Sequence, residues 1–109
     1  MSDVLERLEA VIAERRRALS ADPELGARSY VARALGRGVP RLATKLGEEA
    51  AETMVAALAE DDGRLAAEAA DLLFHLLLLL AGRGVPLAAV WAELERREGQ
   101  SGLRRGTSA

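Results

Sequence analysis

The sequence predicts an all-α fold: a helical bundle of about five helices, its core completed by homodimerisation. Three observations predict it. Apolar residues recur at helical spacing along the chain, and no alternating β pattern appears. Half the residues are apolar, yet only one Phe, one Tyr and one Trp occur. Leu, Ala and Val must therefore build the core, and Leu and Ala are strong helix formers. Finally, Leu72, Leu73, Phe74 and Leu76 to Leu80 put apolar groups on every side of one helix. A helix apolar all round must be buried all round, and four short neighbours in one chain hardly suffice.

The elements follow in order. Val4, Leu5, Leu8, Val11, Ile12 and Leu19 mark a first amphipathic helix, with Ser2 or Asp3 available as its cap. Ala21 to Gly26 reads as a break, because it contains Pro23 and Gly26. A short helix covers about Ser29 to Leu35. The third runs from about Pro40 to Glu60, and Asp61-Asp62-Gly63 makes a turn. The fourth runs from about Arg64 to Ala81 and the fifth from about Pro86 to Glu98. The pentapeptide Gly-Arg-Gly-Val-Pro occurs at Gly36 to Pro40 and again at Gly82 to Pro86, each time where one helix stops and another starts. Gly suits a left-handed C-cap and Pro the first helical position, so the repeat is a joint used twice. It lacks the Walker spacing and is no phosphate loop.

Length and charge narrow the function. A chain of 109 residues makes one small domain, here residues 1–98, with a Gly-, Ser- and Arg-rich tail at 99–109 expected to be flexible. The net charge of -2 argues against a general nucleic-acid binder. The stretch Leu72 to Ala81 contains His75 and is far shorter than the roughly 20 residues of a membrane span. Acidic residues interrupt the start of the chain, so no secretory signal is visible. The absence of Cys fits a reducing compartment. Together these features point to a cytoplasmic protein with no nucleic-acid or membrane partner.

Two acidic groups carry the chemistry: Glu48-Glu49-Ala50-Ala51-Glu52 and Glu68-Ala69-Ala70-Asp71. Residues three or four apart share a helical face, so Glu49 pairs with Glu52 and Glu68 with Asp71, with Glu48 at the edge. A short turn makes the two helices antiparallel. Glu52 lies about ten residues before the turn's centre and Asp71 about nine after it, so at about 1.5 Å per residue the pairs meet at one level. Facing carboxylates inside a bundle repel and lose hydration. A magnesium ion offsets that repulsion, since hard cations take oxygen ligands and bridge carboxylates to phosphates. The competing reading is an ordinary solvated charged face. A di-iron carboxylate site is excluded, because it needs Glu-x-x-His pairs and Leu72 precedes the only His, His75, by three. His75 is either a hydrogen-bonded core residue or a group that orients Asp71 or touches substrate. Lys45, one turn before Glu49, either pairs with that carboxylate or meets a phosphate oxygen. Trp91 is read as core packing.

The spacing Glu-Glu-x-x-Glu followed by Glu-x-x-Asp resembles the all-α nucleotide pyrophosphatases, which include MazG-type enzymes and dimeric dUTPases. Lys45 to Glu52, with Glu68 to Leu77, more closely resembles the phosphoribosyl-ATP pyrophosphatase family. Ser29-Tyr30 with Arg33, and Gln100-Ser101-Gly102-Leu103, match two further segments of that family. The resemblance spans about Leu5 to Leu103. It implies hydrolysis of phosphoribosyl-ATP to phosphoribosyl-AMP and pyrophosphate in histidine biosynthesis, with magnesium and a homodimer. It carries over Glu49, Glu52, Glu68 and Asp71 as metal ligands, with Glu48 or Glu49 positioning the attacking water. It also brings Ser29, Tyr30, Arg33, Lys45 and His75 towards the substrate. Arg97, with Arg96, Arg104 and Arg105 around Ser101 and Gly102, is read as a phosphate clamp. Val31 stands where the family often has Thr, and Arg104 and Arg105 where it often has acids. Two other functions stay open: a pyrophosphatase of another nucleoside triphosphate, and a non-catalytic helical dimerisation module.

Overall fold

Helix α1 (Val4–Ala21) buries Ile12 and rests Leu5 and Leu8 against the core. Asp3 stands at its N-cap but gives its carboxylate to Arg7 instead of the helix amides. The computed structural model from which these elements are read describes residues 3–99. Ser2, Ser101, Gly102 and the expected tail lie outside the described residues.

The segment after α1 is more ordered than a simple break. Asp22 accepts a hydrogen bond from the Glu24 amide at 3.1 Å and pairs with Arg28 at 2.7 Å. Capped in this way, and with Pro23 at its first position, Pro23–Ala27 closes a short 3₁₀ helix. Helix α2 (Tyr30–Gly36) begins at Ser29, whose hydroxyl accepts from the Ala32 amide at 3.2 Å.

Helix α3 (Val39–Ala59) and helix α4 (Asp62–Arg83) form the central hairpin. The turn between them is tighter than Asp61-Asp62-Gly63 suggested. The Asp61 carboxylate accepts from the Arg64 amide at 2.8 Å, so Asp61 is the cap and the helix takes in Asp62 and Gly63. Helix α5 (Leu87–Glu98) completes the chain of elements. Among the described residues there is no strand.

The repeated pentapeptide does act as a joint. The third residue of each copy has a left-handed backbone, Gly38 at φ 91° and Gly84 at φ 73°. At the second copy, the Gly84 and Val85 amides turn back to the Ala81 and Leu80 carbonyls and close α4. The proline sites differ slightly from expectation: Pro40 falls within the first turn of α3, whereas Pro86 is the cap just before α5. That cap has no side chain to offer, so α1 supplies one. Glu9 accepts from the Leu87 amide at 2.7 Å, and Glu6 accepts from the Trp91 indole at 2.9 Å. Trp91 packs on the core edge while its N–H is satisfied.

Ile12, Ala34, Leu42, Leu77, Leu78 and Leu87 form the core, drawn from all five α-helices. Burial of α4 is one-sided. Leu78 is sealed, yet Leu73 is 46 % exposed, and on α3 Leu58 is 89 % exposed. By length and composition α4 could cross a membrane, but it carries Glu68, Asp71 and His75, and it serves as the central helix of the bundle.

Candidate active site

The hairpin brings the two acidic groups together as their spacing predicts. Thr53 locks the level: its hydroxyl lies 2.8 Å from the Glu49 carbonyl and 3.2 Å from the Glu68 carbonyl, one on each helix. Around this link, carboxylate oxygens of Glu49, Glu68 and Asp71 all lie within 4.8 Å of one another. Glu49 and Glu68 are buried, and Asp71 is exposed at the mouth.

Each buried carboxylate is only half satisfied. Glu49 turns Oε2 to the Lys45 ammonium at 3.4 Å, and Glu68 turns Oε2 to the Arg64 guanidinium. The other oxygens, Oε1 of Glu49 and Oε1 of Glu68, are buried with no hydrogen-bond partner. A buried acceptor left unmet costs roughly 1–3 kcal/mol, and more when it is charged. Two such oxygens beside a third carboxylate are therefore poor structural design and good cation-binding design. The donor set is all oxygen and all acidic, as a hard divalent cation requires.

Glu52 occupies a different place. Three residues after Glu49, it is exposed and lies outside the close trio. It still feels the site. The charge of Glu49 pushes the Glu52 carboxyl above its ordinary range, with desolvation and Glu68 adding to the effect. Glu48 is exposed and lies 3.7 Å from Lys45. Lys45 thus ties the glutamates together, and its hydrogen bond to Glu49 holds the ammonium's proton more tightly than usual.

A second row of residues adjoins the acids. His75 is buried one turn beyond Asp71, with Nδ1 at 2.8 Å from the Asp71 carbonyl. Its Nε2 lies 3.2 Å from the Tyr30 hydroxyl. The core role is thus visible: the side chain is buried, each ring nitrogen has a partner, and its tie to Asp71 is to the backbone carbonyl. Tyr30 stacks on Phe74 at 6.2 Å, and the Arg33 guanidinium lies 5.5 Å from its ring. The Ser29 hydroxyl caps α2, which places Tyr30 at the first turn. Arg97 is engaged elsewhere. It pairs with Glu93 on α5, as Arg96 does, and among the described residues no contact joins it to the acidic trio.

Two basic residues were missed by the sequence reading. Arg37 and Arg41 line a small cleft with Tyr30, Lys45 and His75. Their spacing to Lys45, four and eight residues, was the available signal, but Arg37 lay inside the joint and read only as punctuation.

The chain is similar in sequence to a known family over most of its length. The family model described as phosphoribosyl-ATP pyrophosphohydrolase matches residues 5–98. A protein of Rhizorhabdus wittichii named phosphoribosyl-ATP pyrophosphatase is 55 % identical over 103 residues, covering 94 % of this chain and 92 % of that protein. One of Erythrobacter litoralis with the same name is 56 % identical, covering 93 % and 91 %. One of Novosphingobium aromaticivorans is 51 % identical, covering 97 % and 94 %. The chain belongs to the phosphoribosyl-ATP pyrophosphohydrolase family.

Proposed function

We propose that this chain hydrolyses phosphoribosyl-ATP to phosphoribosyl-AMP and pyrophosphate in the cytoplasm, as a step of histidine biosynthesis. Family membership gives the reaction, a hydrolysis of a phosphoanhydride. The observation that carries the mechanism is the pair of orphaned, buried oxygens on Glu49 and Glu68. With Asp71 they would hold a divalent cation, and magnesium suits a site made of carboxylates and substrate phosphate. Magnesium bound there supplies charge neutralisation at the phosphate oxygens and eases departure of pyrophosphate.

The chain's own residues do the rest. Glu52, whose carboxyl the charges of Glu49 and Glu68 hold above its ordinary range, would add a fourth carboxylate to that set. Water attacks one phosphorus of the α–β anhydride, and the bridging P–O bond breaks to give phosphoribosyl-AMP and pyrophosphate. Glu48, exposed beside Lys45, or Glu49 positions that water and takes its proton. Lys45 offers a point charge to a phosphate oxygen when substrate displaces it from its glutamates. His75 fixes the backbone at Asp71 and holds the Tyr30 hydroxyl. Tyr30, a lining residue of the cleft, is assigned to the substrate together with its neighbours Ser29 and Arg33, and Arg97 with Ser101 and Gly102 to its phosphates.

The working unit is a homodimer. Met54, Val55 and Leu58 on α3 and Leu73 and Leu76 on α4 leave apolar surface that a lone small domain rarely exposes. The partner is a second copy; nucleic acid and membrane play no part.

A substrate panel tests the proposal. Pyrophosphate release is measured from phosphoribosyl-ATP, ATP and dUTP, each with magnesium and with chelator. Release from phosphoribosyl-ATP well above the other two, and only with magnesium, is expected. Equal release from ATP or dUTP would move the chain to a general nucleotide pyrophosphatase. No release from any of them would favour a dimerisation module.

A further inference from the structure

The substrate carries phosphate at both ends. One end is a triphosphate, an anhydride; the other is a single phosphate monoester on the second ribose. ATP and dUTP lack the second group. The monoester is the one charged group by which phosphoribosyl-ATP differs from them, so recognising it at some distance from the acidic trio would give the site a preference.

Arg37 and Arg41 line the cleft next to Lys45, which links it to the acidic site. Arg41 lies eight residues before Glu49 on the same helix, a rise of roughly 12 Å. Arg37, the C-cap of α2, stands just before α3 and lines the same cleft. Lys45 sits midway and is already drawn to Glu48 and Glu49. By contrast, among the described residues neither Arg37 nor Arg41 has an ion-pair or hydrogen-bond partner for its guanidinium. Every other cation named at this site has one: Lys45 has Glu49, Arg64 has Glu68, and Arg33 donates to the Gly26 carbonyl. The two unmatched guanidiniums line one cleft with the Tyr30 hydroxyl and His75. Like charges gathered at one cleft with no internal counter-charge await an anion from outside. Arginine, with its planar fork of donors, suits the terminal oxygens of a monoester better than lysine does.

We infer that Arg37 and Arg41 bind the phosphate monoester of the phosphoribosyl group and so set the preference for phosphoribosyl-ATP over ordinary nucleoside triphosphates. This rests on the substrate reading above. It divides the cleft by chemistry: carboxylates and their cation take the anhydride, and the arginine pair takes the monoester.

The test uses the whole chain with magnesium and the variants Arg37→Gln, Arg41→Gln and Arg41→Lys. Both arginines are exposed, so folding should survive, and thermal unfolding checks it. Each Gln variant should raise KM for phosphoribosyl-ATP by roughly ten- to a hundredfold, the effect of losing a charge-assisted contact, with a smaller change in kcat. Ribose 5-phosphate, which carries the monoester alone, should inhibit the wild type and lose that inhibition in the variants. Inhibition by ATP should stay the same, and Arg41→Lys should recover part of the loss. If ATP inhibition weakens in parallel, the pair grips the triphosphate and the inference is overturned. Unchanged KM in both Gln variants, with an active wild type, overturns it as well. A wild type that releases no pyrophosphate from phosphoribosyl-ATP instead overturns the substrate reading beneath it.

Discussion

Replacing Glu68 by Gln should make the metal-free protein more stable while nearly abolishing its activity. Oxygens of Glu49, Glu68 and Asp71 lie within 4.8 Å of one another. Two unit charges at that distance repel by about 3 kcal/mol at an effective dielectric of ~20, before nearby cations offset it. Lys45 and Arg64 offset part, and Asp71 is exposed to solvent, so a net relief of about 1–2 kcal/mol is the sensible scale. Gln keeps the shape of Glu and brings an amide that can donate to the orphaned Glu49 oxygen. What is lost is the ion pair with Arg64, whose guanidinium is more than half exposed, worth under about 1 kcal/mol. For a domain near 100 residues, about 1 kcal/mol moves Tm by roughly 4–8 °C. Thermal unfolding in chelator should therefore show a rise of a few degrees for Glu68→Gln. Loss of a metal ligand removes several kcal/mol of transition-state stabilisation, so turnover should fall by about a hundredfold or more. Magnesium should raise the wild type's Tm and leave the variant's almost unmoved. A variant that melts lower in chelator yet turns over normally would refute the reasoning, because it would make Glu68 a structural residue.

Other predictions concern the frame around the site. Sedimentation at micromolar concentration should show two chains, and Leu58→Lys with Leu73→Lys should yield a monomer; a folded wild-type monomer would contradict the dimer. Gly84→Ala places a Cβ at φ 73° and should cost about 1 kcal/mol, read as a lower midpoint in urea with unchanged slope, whereas an unchanged midpoint would mean the joint tolerates strain. Hydrogen bonds from Arg96 and Arg97 hold the Glu93 carboxyl down at about 2 from an ordinary 4.5. A carboxyl lowered by folding contributes stability that is present above 4.5 and fades as pH falls towards 2. Glu93 is fully exposed to solvent screening, so Glu93→Gln should flatten the acid limb only slightly, and less in high salt; a large change would mean that the cluster is buried by a partner.

The sequence discloses most of the fold because its punctuation is chemical. Asp61, Ser29, Gly38 and Gly84 start or stop helices by hydrogen bonds and backbone freedom that local sequence specifies. The 3₁₀ helix at Pro23–Ala27 was hidden, since it depends on Asp22 reaching both Glu24 and Arg28. Helical phase made the meeting of Glu49, Glu68 and Asp71 legible. It blurred Glu52, which shares a broad face with Glu49 but stays exposed, outside the close trio. Capping of α5 by Glu9 was beyond reach, because 78 residues separate the partners. Arg37 and Arg41 escaped notice for another reason: their meaning lies in having no partner, which only packing can reveal.

Glu49, Glu68 and Asp71 together form the proposed site for a divalent cation. Calorimetric titration of magnesium into the chelator-stripped protein tests it most directly, run beside Glu49→Gln and Asp71→Asn. Saturable binding by the wild type is expected, with a loss of at least about tenfold in affinity in each variant, the scale of one charge-assisted contact. Magnesium binding of equal strength in all three proteins, or none in the wild type with or without a nucleotide present, would contradict it.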